Sequence, residues 1–237
     1  MRIRLWEQSG RKSEMAQEKL AESIFDSVVK RYDRFLRSVT FGLIDKWQKI
    51  LVKNTPAGKF PVDVGTGTGE VVKKIKQEYA DSLPIGVDVS LNMLKRAKEK
   101  NADSSSFFLK ASAYKLPFKN NHISSIYASL VFRHLNGEEF IKEISRVLTK
   151  GGYVGILDIS KPSKLLFNAM FFIANKIFRP LGERIFSKEE YDYFMESVIN
   201  SKNPGELKDL FNRFGYKDIF IKSYFLGLVV IAVFRKE

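Results

Sequence analysis

The stretch Lys59-Phe60-Pro61-Val62-Asp63-Val64-Gly65-Thr66-Gly67-Thr68-Gly69-Glu70 decides the fold. Its first half is a short apolar run of the kind a buried strand uses, and it breaks into alternating glycines where a chain turns tightly into a helix. Outward from this unit the alternation continues with strand 83–88, helix 90–100, strand 106–110, strand 123–130, helix 137–148 and strand 152–159. Parallel strands joined by crossover helices follow from that order. After apolar helices near 163–178 and 204–213, strands 216–223 and 226–234 lie too close for a crossover and must pair as an antiparallel hairpin. Upstream, Leu20, Ile24, Phe25, Val28, Tyr32, Phe35 and Leu36 keep helical spacing to about Val39, with Ser13 as the expected N-cap, and a second helix is expected over Leu43 to Val52.

The expected organisation is a flexible extension over 1–14 and a single α/β domain over 15–237. Within it, 15–55 form N-terminal helices over the ligand site and 163–200 a helical insertion beside it. Hydrophobic residues make up 44% and charged residues 28% of the chain, a balance that excludes a disordered protein. Zero cysteine excludes disulfides, thiolate metal sites and cysteine nucleophiles, and no metal site is expected. It also agrees with a cytoplasmic location. No apolar run reaches the roughly 18 residues that span a bilayer, because Asn168, Asn175 and Lys176 interrupt the richest segment. Forty Lys and Arg against 27 Asp and Glu leave a formal charge of +13, which attracts either nucleic acid or an anionic membrane surface and does not choose between them.

The glycine turn follows a strand and opens a helix, and Asp88 ends the next strand about 20 residues on, a combination that points to an adenosine-containing ligand. Glu70 stands where the dinucleotide fingerprint needs its last glycine, and a carboxylate at a helix start repels pyrophosphate. No Lys-Ser or Lys-Thr pair follows the glycines, so the phosphate-loop reading fails as well. Asp63, Glu70 and Asp88 surround the loop with negative charge, which suits the ammonium, sulfonium and ribose hydroxyls of S-adenosylmethionine. The plainer alternative is a tight strand-to-helix turn with Asp88 capping the next helix.

With these segments placed, the chain resembles the ubiquinone/menaquinone biosynthesis C-methyltransferase family. The resemblance rests on Arg31-Tyr32-Asp33, Phe41-Gly42-Leu43, Asp63 through Gly69, Gly86-Val87-Asp88, Leu116-Pro117-Phe118, Arg146-Val147-Leu148, Ser160-Lys161-Pro162 and the late Tyr193, Glu196, Ser197 pattern. It implies a Rossmann-like class I methyltransferase fold, a mostly parallel seven-stranded sheet with a C-terminal antiparallel hairpin and an N-terminal helical extension. It also implies S-adenosylmethionine contacts from Thr68, Asp88, Ser112, Ala113 and Ser129. With the loop and its neighbours, the cofactor set is Asp63, Gly65, Thr66, Gly67, Thr68, Gly69, Asp88, Val89, Ser112, Ala113 and Ser129. After the fourth strand the family usually reads Phe-Gly-Leu-Arg-Asn, whereas here Leu130-Val131-Phe132-Arg133-His134 stands. Arg133 is kept, and the valine and phenylalanine are expected to narrow or reshape the acceptor pocket.

Carbon methylation of a ring needs a phenolate-like acceptor held in line with the methyl group and help with one proton. Arg133, His134 and Asp158 are the catalytic candidates, Arg133 to stabilise the phenolate and His134 to accept the proton. His134 reads equally as a polar strand-end residue, and Asp158 as an anchor for a neighbouring loop. The expected acceptor is a lipid-tailed small molecule, a prenylated quinone precursor. The apolar segment 165–178, with Lys161, Lys164, Lys176, Arg179 and Arg184 near it, reads either as a peripheral membrane contact or as a lid or homodimer helix. Nucleic-acid methylation ranks lower, because no Asn-Pro-Pro-Tyr type of motif follows strand four; a non-catalytic subunit that binds S-adenosylmethionine is the third reading.

Overall fold

The structure, a computed structural model, describes residues 2–102, 104–162 and 187–237. In chain order its elements are α1 (Arg2–Val39), α2 (Leu43–Asn54), β1 (Val62–Val64), α3 (Glu70–Glu78), β2 (Ile85–Asp88), α4 (Leu91–Lys100), β3 (Phe107–Lys110) and β4 (Ile123–Ser129). They continue with α5 (Gly137–Val147), β5 (Leu148–Ile159), α6 (Lys188–Ile199), α7 (Pro204–Arg213), β6 (Tyr216–Tyr224) and β7 (Val229–Lys236). The seven strands form one sheet in the order β3-β2-β1-β4-β5-β7-β6. β1 to β5 are parallel, and β7 runs antiparallel to both β5 and β6. This is the mostly parallel sheet with a C-terminal hairpin that the sequence implied.

Sequence patterning explains the layers. β1, β4 and β7 are buried along nearly their whole length, as strands covered on both faces must be. One face packs Phe140, Ile141 and Ile144 of α5 and Leu207, Leu210 and Phe211 of α7 against Ile126, Val154 and Phe234. A second cluster joins Ile44, Trp47, Leu51 and Val52 of α2 and Val71 and Ile75 of α3 to Tyr127, Leu157 and Ile231. Caps fix where helices begin: Ser90 accepts the Met93 N–H for α4, and α7 opens on a capping box between Asn203 and Glu206 with Pro204 behind it. The chain runs outward from β1 to β3 and then returns to place β4 on the other side of β1. Such a reversal opens a crevice at the carboxyl ends of the strands, where open α/β sheets bind ligands.

Two boundaries differ from expectation. α1 runs unbroken from Arg2, so Ser13 lies inside it and is not an N-cap. The last strand begins at Val229 rather than 226, because Phe225, Leu226 and Gly227 all take left-handed φ values and form the hairpin turn. The helix expected near 163–178 lies outside the described residues. Among the described residues no helix is long and apolar enough to cross a membrane.

Candidate active site

The glycine loop leaves β1 as a series of left-handed turns at Gly65, Gly67 and Gly69. Two of these glycines are required for distinct reasons. A Cβ at Gly65 would sit 2.5 Å from the Val131 side chain, so the loop can pass under the β4 turn only without one. Gly67, at φ 51°, presents its N–H to Asp88 Oδ2 at 2.8 Å and has open space where a Cβ would be, the arrangement that lets a ligand approach backbone closely. The N–H groups of Gly65 and Thr66 both donate to Val87 O, which ties the loop to β2.

Asp88 ends β2 and accepts the Ser90 N–H on Oδ1 at 2.9 Å as well as that of Gly67 on Oδ2. Burial pushes its pKa up, and the backbone donors work against that rise. With backbone N–H groups of Ser90, Gly67 and Val89 on a carboxylate that has about four lone-pair sites, room remains for a hydroxyl donor. Asp63 is more extreme. It is fully buried in β1, neither oxygen has a well-formed hydrogen bond among the described residues, and burial pushes its pKa up to about 7, with the nearby Thr66 hydroxyl working against that rise. A carboxyl left so incompletely satisfied is costly in the free protein and marks a place where a cation or donor would be stabilised.

The negative charge expected around the loop is corrected at Glu70. Its carboxylate pairs with Lys100 and, at 3.4 Å, with Lys74, and these cations hold its pKa low despite its burial. Glu70 therefore belongs to the clamp that holds α1 over the loop. In that clamp Thr68 Oγ1 donates to Asp33 at 2.6 Å, Lys100 pairs with Asp33 at 2.7 Å, Ser90 donates to Asp26, and Lys110 pairs with Glu22 at 2.6 Å. Four acids along α1 and at the start of α3 thus meet partners on the cofactor side, and Phe25 and Tyr32 are delivered to the cavity below. Burial raises the Tyr32 pKa to about 12, so the phenol keeps its proton.

β4 ends in a turn that carries the remaining candidates. Leu130 takes φ 60°, a conformation rare for a leucine, and a short 3₁₀ turn over Phe132–His134 follows. Phe132 points into the core between Phe140 and Phe211, so it does not reshape the cavity as expected; Val131 does line it. Arg133 is almost wholly buried, with Nη1 2.6 Å from Asp158 Oδ1 and 2.8 Å from Leu130 O, and Nε 3.2 Å from Ser197 Oγ of α6. Asp158 also accepts the backbone N–H groups of Arg133 and Ile159. The pair is a satisfied internal strut joining β4, β5 and α6.

His134 has the opposite character. Its ring stacks on Tyr193 at 5.2 Å and meets Phe25 edge-on at 5.8 Å, and neither ring nitrogen has a hydrogen-bond partner among the described residues. Burial first, and the Arg133 charge second, hold its pKa well below 6.5, so the imidazole is neutral at neutral pH.

Loop, strand ends and α1 surround a cleft whose empty space, open solvent at its mouth included, is about 770 Å³. Of the residues expected from sequence, Gly65, Gly67, Asp88, Val89, Ala113, Ser129 and His134 line it. Asp63, Thr66, Thr68, Gly69, Ser112, Arg133 and Asp158 stand behind that lining. Ala21, Phe25, Met93, Tyr114 and Leu135 also face the cavity and were not read as site residues. Tyr114 had a usable signal, since it directly follows the Ser112-Ala113 pair and its hydroxyl accepts the Asn136 N–H at 2.8 Å.

Comparison with known proteins agrees with this geometry. The solved structures of S-adenosylmethionine-dependent methyltransferases from Aquifex aeolicus and Thermotoga maritima superpose with TM-scores of 0.63 and 0.63 at 19% and 20% identity. They cover 89% and 91% of this chain, and 97% and 99% of their own chains are matched. The demethylmenaquinone methyltransferase of Staphylococcus aureus is 30% identical over 223 residues, 90% of this chain and 92% of the relative. The sequence profile of the ubiE/COQ5 methyltransferase family matches residues 12–236, and the chain belongs to that family of S-adenosylmethionine-dependent methyltransferases.

Proposed function

We propose that this methyltransferase alkylates a ring carbon of a reduced, prenylated quinone precursor. The observation that carries the reading is His134, a neutral imidazole at the cavity wall with two unpartnered nitrogens, set across Phe25 from the protonated Tyr32 phenol. A hydroquinone has oxygen groups on opposite sides of its ring, and two hydrogen-bonding side chains spaced by an apolar one suit that shape. The named activity of the Staphylococcus aureus relative supports the same acceptor class.

Asp88 and Gly67 in the cavity lining, and Asp63 behind it, fit the cofactor. Asp88 takes the ribose hydroxyls on its free lone pairs, while Gly67 leaves room for close approach. Asp63, with a pKa near 7 when alone, becomes a stable carboxylate beside the ligand's ammonium group. S-adenosylmethionine, when bound, supplies an electrophilic methyl group on a cationic sulfur. His134 accepts the proton that the acceptor must lose, directly or through water, and its low basicity keeps it in the proton-accepting form. Tyr32 donates to the oxygen that carries negative charge, and the buried Arg133 adds its field there, as its effect on the Tyr32 pKa indicates. Arg133 acts on the phenolate at a distance and is a positioning residue. Val131, where the family usually has glycine, narrows the cavity above Gly65 and favours an acceptor ring shaped differently from that of the ordinary substrates.

The test uses purified protein, methyl-labelled S-adenosylmethionine and a prenylated 1,4-naphthoquinone supplied reduced or oxidised. Label on a ring carbon of the reduced form alone is the expected result. Label on oxygen, or no turnover of any reduced quinone, overturns the proposal.

A further inference from the structure

The two most exposed large apolar side chains among the described residues are Phe41, 82% exposed, and Leu226, 78% exposed. They sit at the tips of two turns, α1–α2 and β6–β7, in left-handed backbone at φ 51° and 57°. Glycine, asparagine and aspartate are the residues that turns normally place at positive φ. Phe225, beside Leu226, is also left-handed and exposed, so three bulky apolar residues are held outward at a conformational cost.

Both turns lie on the side of the sheet where the parallel strands end, the side that also carries the cavity. Gln48 of α2 reaches Ser129 at the end of β4, Ile159 at the end of β5 pairs with Val229 just after the hairpin turn, and the Phe225 ring packs 6.1 Å from Trp47 of α2. The charge around them is mostly basic. On the two turns and the segments next to them, Arg37, Lys46, Lys161 and Lys222 are cationic, and the single acid, Asp45, is already paired with Arg37 and Lys74.

From this juxtaposition we propose that the α1–α2 and β6–β7 turns form the surface by which the protein docks on an anionic bilayer, inserting Phe41 and Leu226 and turning the cavity mouth toward the lipid. The occupant is a membrane rather than a protein because the apolar points are few and protruding and their rim carries more bases than acids, in a chain of formal charge +13. The inference deepens the proposed function: a lipid-tailed acceptor then reaches the cavity from the bilayer while its tail stays there.

The experiment is flotation of the full-length protein with vesicles of phosphatidylcholine alone or mixed with phosphatidylserine. Binding to the mixed vesicles and little to the neutral ones is expected. The double variant Phe41→Asn/Leu226→Asn places a residue tolerant of positive φ at both tips, so it should melt no lower than the parent and should bind the mixed vesicles about tenfold more weakly. Lys46→Glu/Lys222→Glu should weaken binding to the mixed vesicles and leave the neutral ones unchanged. Methylation of a tail-less reduced naphthoquinone in solution should be equal in all three proteins, and it reads the acceptor proposal separately from docking. Absence of binding by the parent, undiminished binding by the double variants, or a change in oligomeric state on removing the two apolar tips would overturn the membrane assignment, the last in favour of a second copy of the chain.

Discussion

The two halves of the cavity are built in different ways. The half proposed for the cofactor comes from β1, the glycine loop and the end of β2, and Asp88 there is held by the backbone N–H groups of Gly67 and Ser90. The half proposed for the acceptor is gathered from α1, the turn after β4 and α6, and the His134 ring there meets Phe25 and Tyr193 through aromatic contacts, with no hydrogen bond to either nitrogen among the described residues. Hydrogen bonds fix the first half; packing and one buried ion pair fix the second. A scaffold organised this way can keep its methyl donor while its acceptor changes, because a substitution such as Val131 alters one half and leaves the other bonded as before.

The largest effect should come from breaking the strut under the acceptor half. Arg133→Ala strands the Asp158 carboxylate in the interior and should cost about 3–5 kcal/mol, lowering Tm by roughly 6–20 °C, as thermal denaturation would show. A fall of only a degree or two would mean that the pair is not structural. His134→Phe keeps the aromatic packing and removes the proton acceptor, so single-turnover methyl transfer should slow about a hundredfold or more while calorimetric affinity for the cofactor stays within a factor of two or so. If affinity falls with rate, the halves are not separable. Asp88→Asn reverses that pattern and should weaken cofactor binding about 10- to 100-fold through lost charge-assisted hydrogen bonds.

Asp63→Asn sharpens the comparison at the level of stability. The folded-state pKa is raised to about 7, so the group costs nothing below its ordinary value of 3.8, and the ligand-free protein loses stability as pH rises from there to about 7, where the loss is complete. The variant should therefore be about 1–3 kcal/mol more stable than the parent at pH 8, with the difference vanishing near pH 4, and should bind the cofactor more weakly. His134 has the opposite sign, since its depressed pKa contributes stability above 6.5 that is lost as pH falls below that value.

The same contrast decides what could be read from sequence. The strand, glycine and Asp88 spacing is local, so the parallel strand–helix alternation and its closing hairpin follow from the chain read in order. Thr68 and Lys100 meeting Asp33, and Arg133 meeting Ser197, are encounters between residues more than 30 positions apart, which no periodicity encodes. Glu70 shows both cases: Lys74, one turn later on α3, is an i,i+4 partner legible in the sequence, whereas Lys100 reaches it from the end of α4. Phe132 was misplaced because the 3₁₀ turn after Leu130 rotates it into the core, a rotation set by one strained residue.

The central claim is tested most directly by giving the purified protein methyl-labelled S-adenosylmethionine together with, in parallel, a lipid extract and total RNA from the source cells. The account predicts that label accumulates on a ring carbon of a prenylated quinone in the lipid fraction and that the RNA stays unlabelled. Label in RNA, with none in the lipid fraction, would contradict it and make the excess of basic residues the better guide to the acceptor.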